Sequence, residues 1–397
     1  MKVLHINDHL AWKGGVETYL LNLIPHLEAK GVENRVLYGT GEKEGVVLAA
    51  SEAVPGIAVP GDDVALAREL EDRINTFGAD LVHLHGIQNL GVYRAALASA
   101  PVVMTAHDYR PICPASTFFY KRSKQVCRRT CGIGCFAVTA RHHCLTPRPN
   151  YALPFYRRSR FVMKHANEFS RLVAPSASAA ERYIAAGFPE DRVQVIPYFC
   201  PIEPAEYPRP VPEVPTLTYM GRIALNKGWD VFVEALGRLP ESVRGRMIGA
   251  SRPEQQAAIV ARAKAVGCAE RLEVIPWASR EDVERYVRET SILVFPSIWP
   301  ETLGIVGLEA FAHGVPVIAS DIGGVREWLE EGVNGHAVRP GSGEAIAVAA
   351  GALLADTAQI TRYGAAGLDT IRKRFMPEQH LEKLCRVYEA ACSSPVA

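Results

Sequence analysis

No apolar run in these 397 residues approaches the roughly 18–20 that a membrane-spanning helix needs, so a helical transmembrane protein is excluded. The opening decapeptide, MKVLHINDHL, has neither the basic stretch nor the apolar core of a secretory leader and reads as a strand. A cytoplasmic protein is the expectation, with peripheral attachment at the inner membrane face left open. Acidic side chains are missing from one long stretch: Tyr109 to Asn167 contains no aspartate or glutamate but twelve lysines and arginines. The remainder holds 32 basic residues against all 43 acidic ones, so the net charge of +1 conceals a locally positive surface. No nucleic-acid-binding module accompanies that charge, and nucleic acid is not expected as a partner. Cysteine is sparse except here, where Cys113, Cys127, Cys131, Cys135 and Cys144 make five of the nine.

What is present is an alternation of strands and helices. Short apolar runs at Val3–Ile6, Arg35–Tyr38, Leu81–Leu84 and Val102–Met104 read as strands, and the patterns at 16–27 and 63–76 read as amphipathic helices. A basic, Cys-rich insert at about 109–150 follows, then a helical stretch near Tyr156–Phe169 and a strand at Val193–Ile196. Seven of the nineteen residues from Pro197 to Pro215 are proline, which suits neither helix nor central strand. The rhythm then restarts at Leu217–Met220, Leu272–Ile275, Ile292–Phe295 and Val315–Ala319. The expected fold is α/β, with two Rossmann-like domains facing a cleft at the carboxyl ends of their strands. The domains are 1–200 and 216–376, joined by a Pro-rich linker at 201–215. A C-terminal helix at 377–397 has its apolar stripe available to pack back on the first domain.

Two segments of the second half carry chemistry. Strand Leu217–Met220 runs into Gly221-Arg222 and then Lys227-Gly228. Two cations just beyond a strand's carboxyl end suit a diphosphate, although a solvated loop carries the same residues. Further on, Glu301 stands at a loop-to-helix transition and Glu309 about two turns along that helix. A helix start offers unpaired N–H groups and the positive end of a dipole, a seat for phosphate, and carboxylates beside it accept hydrogen bonds from sugar hydroxyls.

These residues, in this order, resemble the family-4 retaining glycosyltransferases, which have the GT-B architecture. The resemblance rests on Gly221-Arg222 with Lys227-Gly228, on Pro300-Glu301-Thr302 followed by Glu309-Ala310, and on the Gly314–Glu327 segment. In the first half it rests on Gly14-Gly15-Val16-Glu17, the strand through His83 and His85 to Gly86, and Thr105-Ala106-His107-Asp108. The resemblance implies that Arg222 and Lys227 bind the donor diphosphate, Glu309 the ribose and Glu301 the donor sugar. Backbone N–H groups around Leu303, Gly304 and Ile305 would meet sugar and phosphate, the Gly14-Gly15 loop would approach the diphosphate, and His107 would touch the transferred sugar. His83 and His85 lie on one face of their strand, and one of them is read as a packed core or strand-end histidine. Asp108 is read as fixing loop geometry. The donor is a nucleotide sugar, with UDP favoured and GDP and ADP open, and Pro276-Trp277-Ala278-Ser279 resembles the base-binding loop. No Asp-x-Asp metal motif occurs, and the resemblance implies that no metal or other cofactor is required for catalysis.

The Cys-rich insert departs from the family pattern. Cys113, Cys127, Cys131, Cys135 and Cys144, with His142 or His143, offer enough ligands for a structural zinc, while free thiols and disulfides stand as alternatives. The positive charge with its interleaved aromatics suits a phosphorylated or lipid-linked acceptor, a glycan, or an anionic membrane surface, and a neutral small-molecule alcohol remains open. The expected activity is hexosyl transfer in polysaccharide, glycolipid or other glycoconjugate synthesis. The rivals are a GT-B disaccharide phosphorylase and a non-catalytic sugar- or nucleotide-binding protein.

Overall fold

The computed structural model describes residues 1–12, 14–41, 48, 50–146, 148–206, 210–276 and 278–393. Trp277 of the segment likened to a base-binding loop, Lys13 beside the N-terminal glycines and 207–209 of the Pro-rich stretch lie outside the described residues. The chain divides into two compact units, Met1–Pro201 with Pro377–Ala397, and Ile202–Met376.

The first unit is built on strands β1 (Lys2–Leu10), β2 (Glu33–Gly41), β3 (Ser51–Ala53), β4 (Leu81–Leu84), β5 (Val102–Thr105), β8 (Arg171–Ala174) and β9 (Val193–Val195), with a small hairpin of β6 (Phe119–Tyr120) and β7 (Gln125–Val126) in the insert. The main sheet is parallel and runs β3-β2-β1-β4-β5-β8-β9. Its helices are α1 (Gly15–Ala29), α2 (Val64–Phe77), α3 (Leu90–Ser99), α4 (Cys135–His142), α5 (Pro149–Lys164) and α6 (Ala177–Ala185). Every residue of β4 and β5 is buried, as a strand covered on both faces requires, and this is why both read as unbroken apolar runs.

The second unit has strands β10 (Thr216–Met220), β11 (Arg244–Ile248), β12 (Leu272–Ile275), β13 (Ile292–Phe295), β14 (Val317–Ser320) and β15 (Gly335–Val338), in the parallel order β12-β11-β10-β13-β14-β15. Helices α7 (Trp229–Gly237), α8 (Pro253–Ala265), α9 (Arg280–Arg288), α10 (Ile305–Ala312), α11 (Gly343–Leu354) and α12 (Thr357–Arg374) complete it. In each sheet the strand order reverses once, at β1/β4 and at β10/β13. Ligands of open α/β sheets bind beyond the carboxyl ends of the strands at such a reversal.

Local signals account for most of these elements, and two differences are informative. Asp63 caps α2, its side chain accepting from the N–H groups of Ala65 and Leu66, and Gly78 closes that helix in the left-handed region. Helix α5 begins at Pro149 rather than near Tyr156, because a proline at the first helical position loses no hydrogen bond. Strand β11, Arg-Gly-Arg-Met-Ile, has no strand-like pattern, since its Arg246 is carried at the sheet by ion pairs to Glu273 and Glu289. The last helix, α13 (Pro377–Ser393), belongs to the first unit. There its His380 Nε2 lies 2.8 Å from the Tyr19 hydroxyl, and its Tyr388 hydroxyl 2.7 Å from His83 Nδ1. No helix of the described residues is long and apolar enough to cross a membrane.

Candidate functional site

In the second unit the loops following β10 and β13 meet at the strand-order reversal. Gly221 leaves β10, a single helical turn spans Leu225–Lys227, and Gly228 turns the chain into α7 at φ +70°. A Cβ on Gly228 would lie 1.9 Å from the Pro296 carbonyl oxygen, so only glycine lets these two loops touch. Their contact carries Lys227 Nζ to 2.7 Å from Glu301 Oε1. The same oxygen accepts the Trp299 indole N–H at 2.6 Å and the Ser297 hydroxyl at 2.5 Å. Lys227 also sits 5.0 Å from the centre of the Trp299 ring. Glu301 is 3% exposed, so its charge is held by three donors converging on one oxygen and its carboxylate plane is set. Neither Ser297 nor Trp299 stands out in the sequence. Both lie within four residues of Glu301, and the strand-to-loop turn after β13 is the signal that gathers them.

Gly304 caps α10 at φ +93°, packed against Phe295 and Trp328, and the Leu303 carbonyl accepts the Trp328 indole N–H at 2.8 Å. The first N–H groups of α10, from Ile305 onward, thus begin directly after Glu301 and Leu303 at the carboxyl end of the sheet. Glu309 is half-buried on α10, and Arg222 is exposed on the β10 loop, where its carbonyl accepts the Tyr219 hydroxyl at 2.8 Å.

In the first unit, Gly14 rather than Gly15 carries the conformational demand. Gly14 caps α1 at φ +117°, while Gly15 is the first residue of the helix. His107 follows β5 and is 8% exposed, but both of its ring nitrogens are engaged: Nδ1 lies 2.8 Å from the Tyr198 hydroxyl and Nε2 3.0 Å from His85 Nδ1. The sugar contact expected of His107 is therefore left to its ring edge or backbone unless one of these bonds opens. Burial drives its pKa down to about 3, so the ring is neutral. His83 and His85 are both buried, their ring centres 4.1 Å apart.

Beside this cluster, Arg110 bridges two carboxylates, donating to Asp8 Oδ2 at 2.9 Å and to Asp108 Oδ2 at 2.8 Å. Burial pushes the Asp8 carboxyl up to about 7 against the pull of Arg110. Burial acts on Asp108 in the same direction, but there the charge of Arg110 and its hydrogen bonds prevail and the pKa falls below the ordinary value. Asp108 Oδ1 also accepts the Arg110 backbone N–H at 2.8 Å, a bond that shapes the loop. Buried Arg158 donates to the Arg110 carbonyl from Nε and Nη2.

Among the described residues, no three of the insert's five cysteines bring their sulfurs within 4.8 Å of one another. Among the described residues, the group of three or more potential ligands within 4.8 Å of one another is His5, His83 and His85, with no cysteine in it. The reason is local: Cys127 follows the β6–β7 hairpin, Cys131 lies in a turn and Cys135 starts α4, so their spacing by four is not spacing along one helix. Cys131 hydrogen-bonds to Cys135, which raises the first thiol and lowers the second to about 6. All five thiols are free.

Two family profiles match the chain, one described as Glycosyltransferase Family 4 over residues 13–203 and one as Glycosyl transferases group 1 over residues 214–356. Among curated proteins, the phosphatidyl-myo-inositol mannosyltransferase of Mycobacterium leprae is 25% identical over 398 residues, which is 96% of this chain and 94% of that one. The D-inositol 3-phosphate glycosyltransferase of Xylanimonas cellulosilytica is 35% identical over 179 residues, so the chain spans less than half of that relative's length, 42%, and 45% of its own. Among solved structures, Anabaena Alr3699/HepE in complex with UDP and glucose has a TM-score of 0.74 at 16% identity, covering 98% of this chain and all of that one. That likeness is one of fold, and the fold is GT-B, two parallel-sheet α/β units. The two profiles together span most of the chain and, with the GT-B fold, identify it as a family-4-like GT-B glycosyltransferase.

Proposed function

We propose that the protein transfers a hexosyl group, with retention of configuration, from a UDP-sugar to a hydroxyl of an anionic, lipid-linked acceptor. The observation that carries the donor half is the Lys227–Glu301 contact at the start of α10. A cation and a carboxylate already in register divide the donor between them: Lys227, with Arg222, neutralises the leaving diphosphate, and Oε2 of Glu301, which takes none of the three bonds described above, turns to the sugar hydroxyls. Glu309 is assigned to the ribose, the N–H groups around Leu303, Gly304 and Ile305 to phosphate and sugar, and the Gly14-Gly15 loop to the diphosphate. The solved relative bound to UDP and glucose supports uridine. His107 contributes a neutral surface and transfers no proton. The leaving phosphate receives the acceptor's proton, which a retaining transfer without a protein base requires.

A thermal-shift panel tests the donor assignment. UDP at a hundred times its dissociation constant stabilises the fold by about 2.7 kcal/mol, GDP and ADP do not at that concentration, and Arg222→Ala abolishes the shift. A folded preparation that responds to no nucleotide would overturn the donor site.

The acceptor half is supported by the relatives, whose names specify an inositol phosphate and a phosphatidyl-inositol, and by the insert. Of the twelve cations in the acid-free stretch Tyr109–Asn167, Arg110 and Arg158 are turned inward to the carboxylates and the Arg110 carbonyl, whereas the other ten are exposed. Ile133 is 84% exposed, Tyr151 64% and Phe136 46%, three apolar side chains in water within a region that has no acid. Cations near an anionic leaflet contribute about 1 kcal/mol each, and apolar side chains at its interface add to that. The protein is expected to float with phosphatidylglycerol vesicles and not with phosphatidylcholine vesicles. Ile133→Ser with Phe136→Ser should reduce flotation severalfold. Equal recovery with both vesicle types would leave a soluble phosphorylated acceptor in place of the membrane.

A further inference from the structure

A file of buried imidazoles runs through the first unit beneath the carboxyl ends of its strands. His5 lies on β1 directly opposite His83 of β4, His85 follows β4, and His107 follows β5. Their hydrogen bonds form one continuous line. Tyr198 OH meets His107 Nδ1 at 2.8 Å, His107 Nε2 meets His85 Nδ1 at 3.0 Å, and His85 Nε2 meets His5 Nδ1 at 3.1 Å. His5 Nε2 then meets Asn34 Oδ1 of β2 at 3.1 Å. Asn34 gives the line its direction. Its Nδ2 donates to the Val32 carbonyl at 2.9 Å, so its oxygen faces His5, and an amide oxygen only accepts.

The protons follow by necessity. His5 must carry its hydrogen on Nε2, which leaves a lone pair on Nδ1. That lone pair requires His85 to be Nε2–H, and the lone pair on His85 Nδ1 requires the same of His107. The remaining lone pair, on His107 Nδ1, accepts the Tyr198 hydroxyl. We propose that His5 and His85 are positioning residues for His107, and that with Asn34 they hold its ring neutral, immobile and protonated on Nε2. Burial acts in the same sense, lowering His5 to about 4 and His85 well below its ordinary value. It also explains why the close grouping of His5, His83 and His85 serves hydrogen bonds: the lone pair that a cation would need on His5 is taken by His85. His380, in the same unit, is an internal contrast. Its Nδ1 meets the Pro197 carbonyl at 2.8 Å and so carries the hydrogen, leaving Nε2 to accept from Tyr19. The catalytic relevance rests on the sugar contact proposed for His107, but the tautomers do not.

The test is long-range proton–nitrogen correlation on the full chain with nitrogen-15 histidine at pH 7, each ring assigned by its own His→Gln substitution. His5, His85 and His107 should show Nε2–H, and His380 Nδ1–H. Asn34→Leu removes the terminal acceptor and should reverse His107, two imidazoles away, to Nδ1–H. Asn34→Asp restores an acceptor and should restore the original pattern, which a merely structural role for Asn34 would not do. Nδ1–H at His107 in the unsubstituted protein, or no reversal in Asn34→Leu, would overturn the proposal. If Asn34→Leu does not fold, the four tautomers of the unsubstituted protein still decide it. Unaltered donor turnover in His107→Ala, with the tautomers as stated, would sink the sugar contact and leave the relay standing.

Discussion

Replacing Lys227 by alanine lowers kcat/KM by about 10²–10³, and replacing Glu301 by glutamine lowers it by a similar factor, the range seen when one fixed electrostatic group is removed from a transfer site. The two losses do not add. Lys227 Nζ and Glu301 Oε1 are 2.7 Å apart, so each variant disturbs the other's partner, and the double variant should fall short of the product of the singles by at least about fivefold. Glutamine is the informative change because Glu301 also anchors Ser297 and Trp299. Alanine would strand three donors around a buried site at about 1–3 kcal/mol for each one that water cannot reach. Glutamine keeps an accepting oxygen and removes the charge. The measurement is a double-mutant cycle in kcat/KM, with melting temperatures alongside. Strict multiplicativity of the two losses would mean that the ion pair has no part in transfer.

A chain ending at Met376 does not keep its first unit folded. Helix α13 buries Leu381, Leu384, Val387 and Tyr388, each worth about 1.5–3 kcal/mol of apolar burial. The sum rivals the whole stability of an ordinary domain, about 5–15 kcal/mol. The truncation also removes His380 and Tyr388, the partners of the Tyr19 hydroxyl and His83 Nδ1 inside the unit. Circular dichroism melts and limited proteolysis should show the first unit opened while fragments of the second persist, and an unchanged melt would refute this. Tyr388→Phe keeps the ring and deletes one hydroxyl, so it should cost only about 1–3 kcal/mol.

The loops proposed to hold the donor stood out because their signals are short in sequence. A strand that stops at Gly221 with cations five residues apart, and a carboxylate four residues before a helix, are each read within a dozen residues, and the parallel sheets follow from unbroken apolar runs such as Leu81–Leu84 and Ile292–Phe295. Periodicity also gave α13 an apolar stripe. It could not say which unit covers that stripe, because any exposed apolar face would serve, and only the returning chain sets Tyr388 against His83. The five cysteines show the converse. Their spacing suggests a ligand set, but a hairpin, a turn and a helix start separate their backbones, and among the described residues the structure pairs Cys131 with Cys135 without drawing three of the sulfurs within 4.8 Å of one another.

By itself the sequence determined the two α/β halves, the residues of the loops proposed to hold the donor and the acid-free basic insert, all of them properties of neighbouring residues and their composition. Tertiary structure alone decided that Ser297 and Trp299 share Lys227's hold on Glu301, and that His5, His85 and His107 stand in line behind Asn34. Residues 5, 34, 85 and 107 are distant along the chain. They meet because parallel strands bring them side by side, and the direction of their protons is imposed by a single amide whose oxygen can only accept.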